Sequence, residues 1–450
     1  MGIMYNEGHN PPRKVIALSW LQSHLIYAKP TTAPAYVGAV FSFRSNICLS
    51  SIYFSSNVYY KMKKWVSLPF CLRGNVVKKV LFVATVVRLH INMFHKPFIK
   101  WFHDQGWQVD VAANNDYEDK SECVIPYCDN FHCMPFERSP LKKGNLDAYK
   151  QLKKLLDSEH YDIIHCHTPM GSVITRLAAR SARNEGTKVI YTAHGFHFYK
   201  GSPKFNWLVY YPIEKILSRR TDLLLTMNQE DYSVAMKFHA KKVMNVNGVG
   251  MDMSKFTEAT AADKKTVRAE LGLKDDDVFA ISAAQLIPRK NHTVLIQAIS
   301  KLKDPHFHLY ILGDGVQEQE LKEQTKELGV ENQIHFLGFR RDVYRLCKAA
   351  DIFLFASLQE GLPVAIMEAM ACGLPIIASK IRGNIDLIEL EKGGWLVPPT
   401  DVDGFMSAIH DAMTHRENWH QMKEFNLAKV RNYSIDAVMD QMAEIYKSVM

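Results

Sequence analysis

The stretch EGLPVAIMEAMACGLPII, Glu360 to Ile377, decides how this chain is read. An apolar run lies between two Gly-Leu-Pro triplets, with Glu360 at its head and Glu368 eight positions on. Proline suits the first turn of a helix, where its missing N–H costs nothing, and glycine suits the position just past a helix end. The triplets therefore bracket a helix of about ten residues, kept slim by Ala365, Ala369 and Ala371. Apolar runs at Ile352–Phe355 and Ile376–Ala378 flank it and read as strands. Strand, loop, helix and strand make one unit of a parallel sheet, and Glu360 falls in the loop at its carboxyl edge. The apolar neighbours imply burial. A buried carboxylate costs several kcal/mol unless something pairs with it, and sugar hydroxyls are suitable donors.

The same alternation runs outward in both directions. Toward the N-terminus, strands are expected at Val80–Val86, Gln108–Ala112, Asp162–Cys166, Lys188–Thr192 and Leu223–Met227. Helices are expected around Phe94–Gln105, Leu146–Ser158, Ser172–Asn184 and Tyr211–Arg219. A second series has strands at Val278–Ala283, His306–Leu312 and Gln333–Leu337, with helices at Gln317–Leu328 and Arg341–Lys348. The segment NVNGVGMDMSKF, Asn245 to Phe256, carries glycines and little periodicity and suits a crossing between domains. An amphipathic helix, Ala437–Val449, ends the pattern. A length of 450 residues exceeds one ordinary core, so two doubly wound α/β domains facing a cleft are expected. The boundaries are 77–247 for the first domain, 248–430 for the second and 431–450 for the closing helix.

Residues 1–76 are aromatic, rich in serine and without sustained periodicity, and are expected to be a dispensable extension or a translated upstream segment. They also hold eight basic residues against Glu7 alone, nearly all of the net charge of +8. The remainder is close to balanced, which argues against a nucleic-acid binder. Eight cysteines without C-x-x-C pairs read as reduced thiols in a cytoplasmic protein. Cys123, Cys128, His132 and Cys133 fit no common zinc spacing. No run reaches the roughly 18 apolar residues of a spanning helix.

Glu-Gly-Leu-Pro, a second glutamate after seven intervening residues and then Gly-x-Pro resemble the E-x7-E signature of retaining GT-B glycosyltransferases of family 4. The resemblance runs from about Lys78 to the C-terminus and takes in YTAHGFHFYKG, NGVGMDMSKF, LIPRKNH, YILGDG and FLGFRRDV. It is strongest to bacterial enzymes that build capsular, exopolysaccharide or lipid-linked glycans. The family implies two Rossmann-like domains, with the C-terminal helix packing back toward the first. It also implies transfer of a hexose or N-acetylhexosamine from a nucleoside diphosphate, UDP being expected, to a glycan or undecaprenyl-diphosphate-linked acceptor.

Carried over by position, Glu360 would bind the donor sugar and Glu368 the ribose, while the amides of Gly361 and Leu362 would face sugar or phosphate. Lys290 matches the lysine beside the diphosphate. Gln285 stands where many members have arginine, and adjacent Arg289 could supply that charge. His194 matches a histidine near the reaction centre. Gly313 and Gly315, in a loop after a strand, would lie near the nucleotide. Arg88, His90 and His167 fall on the acceptor side, where Leu89 replaces the glycine usual in relatives.

The resemblance also implies that basic residues and helix dipoles, rather than a bound metal, neutralise the leaving diphosphate, so neither a cofactor nor a metal is expected. Asp401-Val402-Asp403 reads as a helix cap and Asp275–Asp277 as a solvated turn. Lys96, Lys100, Lys200 and Lys204 interleave with aromatic rings, which suits an anionic membrane surface and a peripheral place at the inner face of the plasma membrane. A GT-B sugar-nucleotide epimerase and an inactive nucleotide- or glycan-binding subunit are the alternatives. No G-x-G-x-x-G follows the first strand, which argues against a hydride-transferring enzyme.

Overall fold

Alternate residues of the strand β1 (Lys79–Val86) feed two different cores. Val80, Phe82 and Ala84 point into one, Leu81 and Val83 into the other, as a strand covered on both faces requires. The computed structural model describes residues 77–256 and 259–450, all within one compact unit. The expectation that residues 1–76 are dispensable lies outside the described residues.

Seven parallel strands form the first sheet, in the order β3-β2-β1-β4-β5-β6-β7. The others are β2 (Gln108–Asn114), β3 (Asn130–Cys133), β4 (Ile163–His167), β5 (Lys188–Ala193), β6 (Leu223–Thr226) and β7 (Lys242–Asn245). The second sheet runs β10-β9-β8-β11-β12-β13, again all parallel. Its strands are β8 (Val278–Ala283), β9 (Phe307–Leu312), β10 (Ile334–Gly338), β11 (Ile352–Phe355), β12 (Ile376–Ser379) and β13 (Gly394–Val397). Strand order reverses between β1 and β4 in one sheet and between β8 and β11 in the other. These are the switch points where doubly wound sheets bind ligands.

Four aspartates repeat one device at the opposite, amino edge. Asp129, Asp162, Asp222 and Asp351 each precede a strand and accept the amide of Val109, Lys79, Val189 or Phe279 on the neighbouring strand, at 2.7–2.9 Å. The C-terminal helix, Ile435–Lys447, packs against the first sheet. Val438, Met442, Ile445 and Tyr446 join the core of Val80 and Phe82, and Tyr446 stacks on Trp101 with ring centroids 5.5 Å apart.

Several local expectations are corrected. β3, β7 and β13 were not expected; they are short edge strands, and β3 and β7 are too exposed to show an apolar run. The segment Thr85–Phe94, expected from the sequence to be a loop between strand and helix, is mostly part of a π-helix, Val87–His95, which runs into an α-helix at Lys96–Asp104. The expected helix 172–184 breaks at Ala179 into Pro169–Ala178 and Arg180–Asn184. Pro363 is the residue before the helix Val364–Ala371 rather than part of its first turn. Asp277 is buried and bonds the amide of Lys274 and the ring of His306, so it is no solvated residue. Asp401 does cap its helix, accepting from the amide of Gly404.

Candidate active site

Two loops of the second sheet build an acidic–basic cluster. After β8 the chain makes a tight turn, Pro288–Lys290, and Asn291 closes it at φ 56°. The Asn291 side chain donates to the carbonyls of Ala356 and Pro399, tying this turn to the loop after β11. That loop brings Glu360 back onto the turn. Lys290 Nζ lies 2.7 Å and Arg289 Nη1 3.0 Å from Glu360 Oε1, and Arg289 also donates to the Gln359 carbonyl. Lys290 sits over the Phe355 ring at 4.9 Å. Burial lowers its pKa, and the neighbouring Glu360 opposes that shift. Gln285 is exposed, so among these residues it is Arg289 that brings the second positive charge to Glu360.

Glu368 lines a cleft of about 480 Å³ with Met93, Phe94, Asp252, Lys255, Arg341 and Tyr344. Burial raises its pKa, and Lys255 counters only part of that. Gly313 and Gly315 adopt φ of 139° and 156°, and a Cβ on either would strike the backbone of Ala284 or Leu286 at 2.0 or 2.3 Å. They let the β9 loop pack against the Ala284–Leu286 backbone that leads into the turn carrying Arg289 and Lys290. Among the described residues the amides of Gly361 and Leu362 donate no hydrogen bond to protein. The Leu362 side chain packs between the domains against Gly248.

From the first sheet, His194 follows β5 and faces this loop. A Cβ on Gly361 would lie 2.0 Å from the His194 carbonyl oxygen, so the two loops meet backbone to backbone. Burial pushes the His194 imidazole down to about 4, which keeps it neutral near pH 7. Its Nε2 is 3.4 Å from His167 Nδ1, and its ring centroid is 4.7 Å from that of His90. His167 ends β4, where Thr168 holds a strained φ of 60° and bonds Thr85 at the end of β1. Arg88 does not join the group. It is exposed and lies over the Tyr117 ring at 5.9 Å. Leu89 and His90 instead line a cavity of about 310 Å³ with Arg138, Thr168, Met170 and His197.

His165 is fully buried between Tyr446 and Thr192, each at 2.8 Å, and pins the C-terminal helix to the sheet. Cys123, Cys128 and Cys133 are free thiols, while His132 turns to Asp110 at 3.5 Å.

Arg382 was not expected in the site. It leaves the loop after β12 and donates to the carbonyls of Glu360 and Phe196 and to Asp231, at 3.0, 2.6 and 2.6 Å. Asn228 donates to the Gly361 carbonyl and Tyr199 to Gln359 across the same seam. The only sequence signal was position. Arg382-Gly383 follows a strand, and Asn228 and Asp231 follow another.

The chain resembles proteins of one kind throughout. A family model described as "Glycosyl transferases group 1" matches residues 263–427, and one described as "Glycosyl transferase 4-like" matches residues 79–228. EpsD of Bacillus subtilis (strain 168), which carries a glycosyltransferase name, is 38% identical over 379 residues, or 83% of this chain and 98% of that protein. The UDP-Gal:alpha-D-GlcNAc-diphosphoundecaprenol alpha-1,3-galactosyltransferase of Escherichia coli is 33% identical over 59% of this chain and 69% of its own length. In fold, the chain is similar to the crystal structure of Anabaena HepE in complex with UDP, with a TM-score of 0.69 at 21% identity, covering 83% of this chain and all of that one.

Proposed function

The chain belongs to the group 1, family 4-like glycosyltransferases of GT-B fold, and from that premise we propose that it is a retaining enzyme using a UDP-sugar and a lipid-linked glycan acceptor. A hexose or N-acetylhexosamine is the sugar moved. One observation carries the reading. Glu360 is held by Lys290 and Arg289 at the carboxyl edge of one sheet, directly across from His194 at the edge of the other.

A donor diphosphate entering here would draw Lys290 and Arg289 to itself, leaving Glu360 free to accept hydroxyls of the sugar. These cations, with the amides at the head of helix Val364–Ala371, would stabilise the departing nucleoside diphosphate without a hard metal ion. Glu368, in the adjoining cleft, would take the ribose. Neutral His194 would sit at the sugar from the acceptor side. The Escherichia coli relative, named for UDP-Gal as donor and GlcNAc-diphosphoundecaprenol as acceptor, favours this donor and acceptor class.

Among the described residues no helix is long and apolar enough to cross a membrane. The helix Lys204–Leu217 exposes Phe205, Leu208 and Ile216 beside Lys204, and is the proposed docking face for a lipid surface. The other basic–aromatic segment is less suited: Phe98 and Phe102 are buried and Trp101 stacks on Tyr446.

The test screens UDP- and GDP-sugars for protection against thermal unfolding, then follows transfer to a diphosphate-linked acceptor. A stabilising UDP-sugar and a product keeping the donor's anomeric configuration by NMR support the reading. An inverted product removes the retaining mechanism, and conversion of donor without acceptor would mark an epimerase.

A further inference from the structure

Four histidine rings converge at the carboxyl edge of the first sheet. His90 and His95 project from the π-helix after β1, His167 ends β4 and His194 follows β5. The π-helix explains the pairing. His90 and His95 are five residues apart, which an α-helix would turn to different sides. Bonds from i to i+5 stack them on one face, with rings 4.8 Å apart.

The geometry is close to that of a four-imidazole metal site. Ligand nitrogens of all four lie within 4.8 Å of one another. The 3.4 Å between His167 Nδ1 and His194 Nε2 matches the roughly 3.3 Å between two nitrogens on one tetrahedral zinc ion. Four imidazoles on such an ion hold their ring centroids about 5 Å apart. Five of the six pairs here lie between 4.7 and 5.9 Å. The sixth, His95 with His167, is stacked at 3.7 Å and would open by about 1 Å.

Hydrogen bonding gives an independent reason. His95 and His167 are each 1% exposed. Both ring nitrogens of His95, with Nε2 of His90 and of His167, make no hydrogen bond among the described residues. A buried polar atom without a partner is costly, and an ion would engage one nitrogen of each ring. Phe94 and Phe98 flank the cluster and would be served as well by apolar neighbours. A donor set of imidazoles alone suits zinc and similar borderline ions, and suits magnesium or manganese poorly.

We propose that His90, His95, His167 and His194 form a binding site for a zinc-class divalent cation. The ion would cross-link the π-helix to the ends of β4 and β5, beneath the loop of Gly361. This assignment is independent of the donor roles given to Glu360 and Lys290, whereas a bound ion would take the Nε2 of His194 and leave that atom unavailable to the sugar.

The full-length protein, stripped with a chelator and titrated with zinc chloride, tests it. Zinc is expected to raise the unfolding midpoint and to bind one equivalent against a chromophoric competitor, while magnesium does neither. His95→Phe keeps a ring in place and should weaken zinc binding at least about tenfold, with the rise in midpoint lost. His90→Phe, at a less buried position, should do the same and stands in if His95→Phe does not fold. A wild-type protein that zinc neither binds nor stabilises would overturn the proposal, as would unchanged binding in the variants. X-ray absorption showing fewer than three imidazoles on the bound ion would also overturn it.

Discussion

Arg382 Nη1 lies 2.6 Å from Asp231 Oδ1, and the two side chains are 2% and 1% exposed. This buried ion pair joins the loop after β12 to the helix after β6, across the seam between the two sheets. The guanidinium also holds the Phe196 and Glu360 carbonyls and lies over the Tyr199 ring at 4.5 Å. It ties the His194 loop to the Glu360 loop. Removing one partner leaves the other charge buried, so Arg382→Ala should cost about 3–5 kcal/mol in denaturant unfolding. A companion Asp231→Leu in the same chain should recover part of it. Additive losses would mean that the pair is not coupled.

At the acidic–basic cluster, Glu360→Gln and Lys290→Ala should each lower the transfer rate by about 10²–10³. Circular dichroism should stay unchanged, because Arg289 remains beside position 360 in either variant. Rates near wild type in both would remove these residues from the chemistry.

Gly361→Ala tests the approach of the loops. Its Cβ would lie 2.0 Å from the His194 carbonyl, a distance real atoms do not tolerate. The domains must part there, and kcat/KM should fall at least about tenfold as the reacting groups are misplaced. An active Gly361→Ala enzyme would show that this contact is not needed for turnover.

Asp222 belongs to the opposite edge and should affect stability alone. Burial would raise its pKa, but Arg183, Lys241 and the Val189 amide outweigh burial and hold it at about 2, below the usual 3.8. A folded pKa below the unfolded one adds stability that is present above pH 4 and is lost as the pH falls toward 2. Asp222→Asn should therefore lose about 2 kcal/mol at pH 7, and the gap to wild type should close in acid. Transfer per folded molecule should be unchanged. A loss of turnover at full folding would contradict the division between edges.

For the lipid surface, Phe205→Ser with Leu208→Ser should abolish sedimentation with anionic vesicles. Lys96→Glu with Lys100→Glu should have a smaller effect, because Phe98 and Phe102 beside them face the core. Equal losses would return both segments to the docking face.

Alternating apolar strands and the punctuated stretch at Glu360 were enough to read two doubly wound sheets. A strand buried on both faces writes its burial directly into composition, and Gly-Leu-Pro marks where a helix must stop and start. Glu360, Lys290 and His194 were singled out by their match to family motifs, and each lies in a loop after a strand, on the edge where such sheets place their loops. Edge strands β3, β7 and β13 left a fainter trace, since one side of each lacks a partner to bury.

What the chain alone did not disclose depends on contacts between residues far apart in order. Arg382 and Asp231 are 151 positions apart and lie in unremarkable loops until the sheets face each other. His90 and His95 share a face only because the helix after β1 is wound as a π-helix, and they meet His167 and His194 only at the switch point. Local sequence determined the elements and which edge carries the loops. Tertiary packing decided which loops touch, because the meeting of Gly361 with the His194 backbone is a property of two sheets together and of neither one alone.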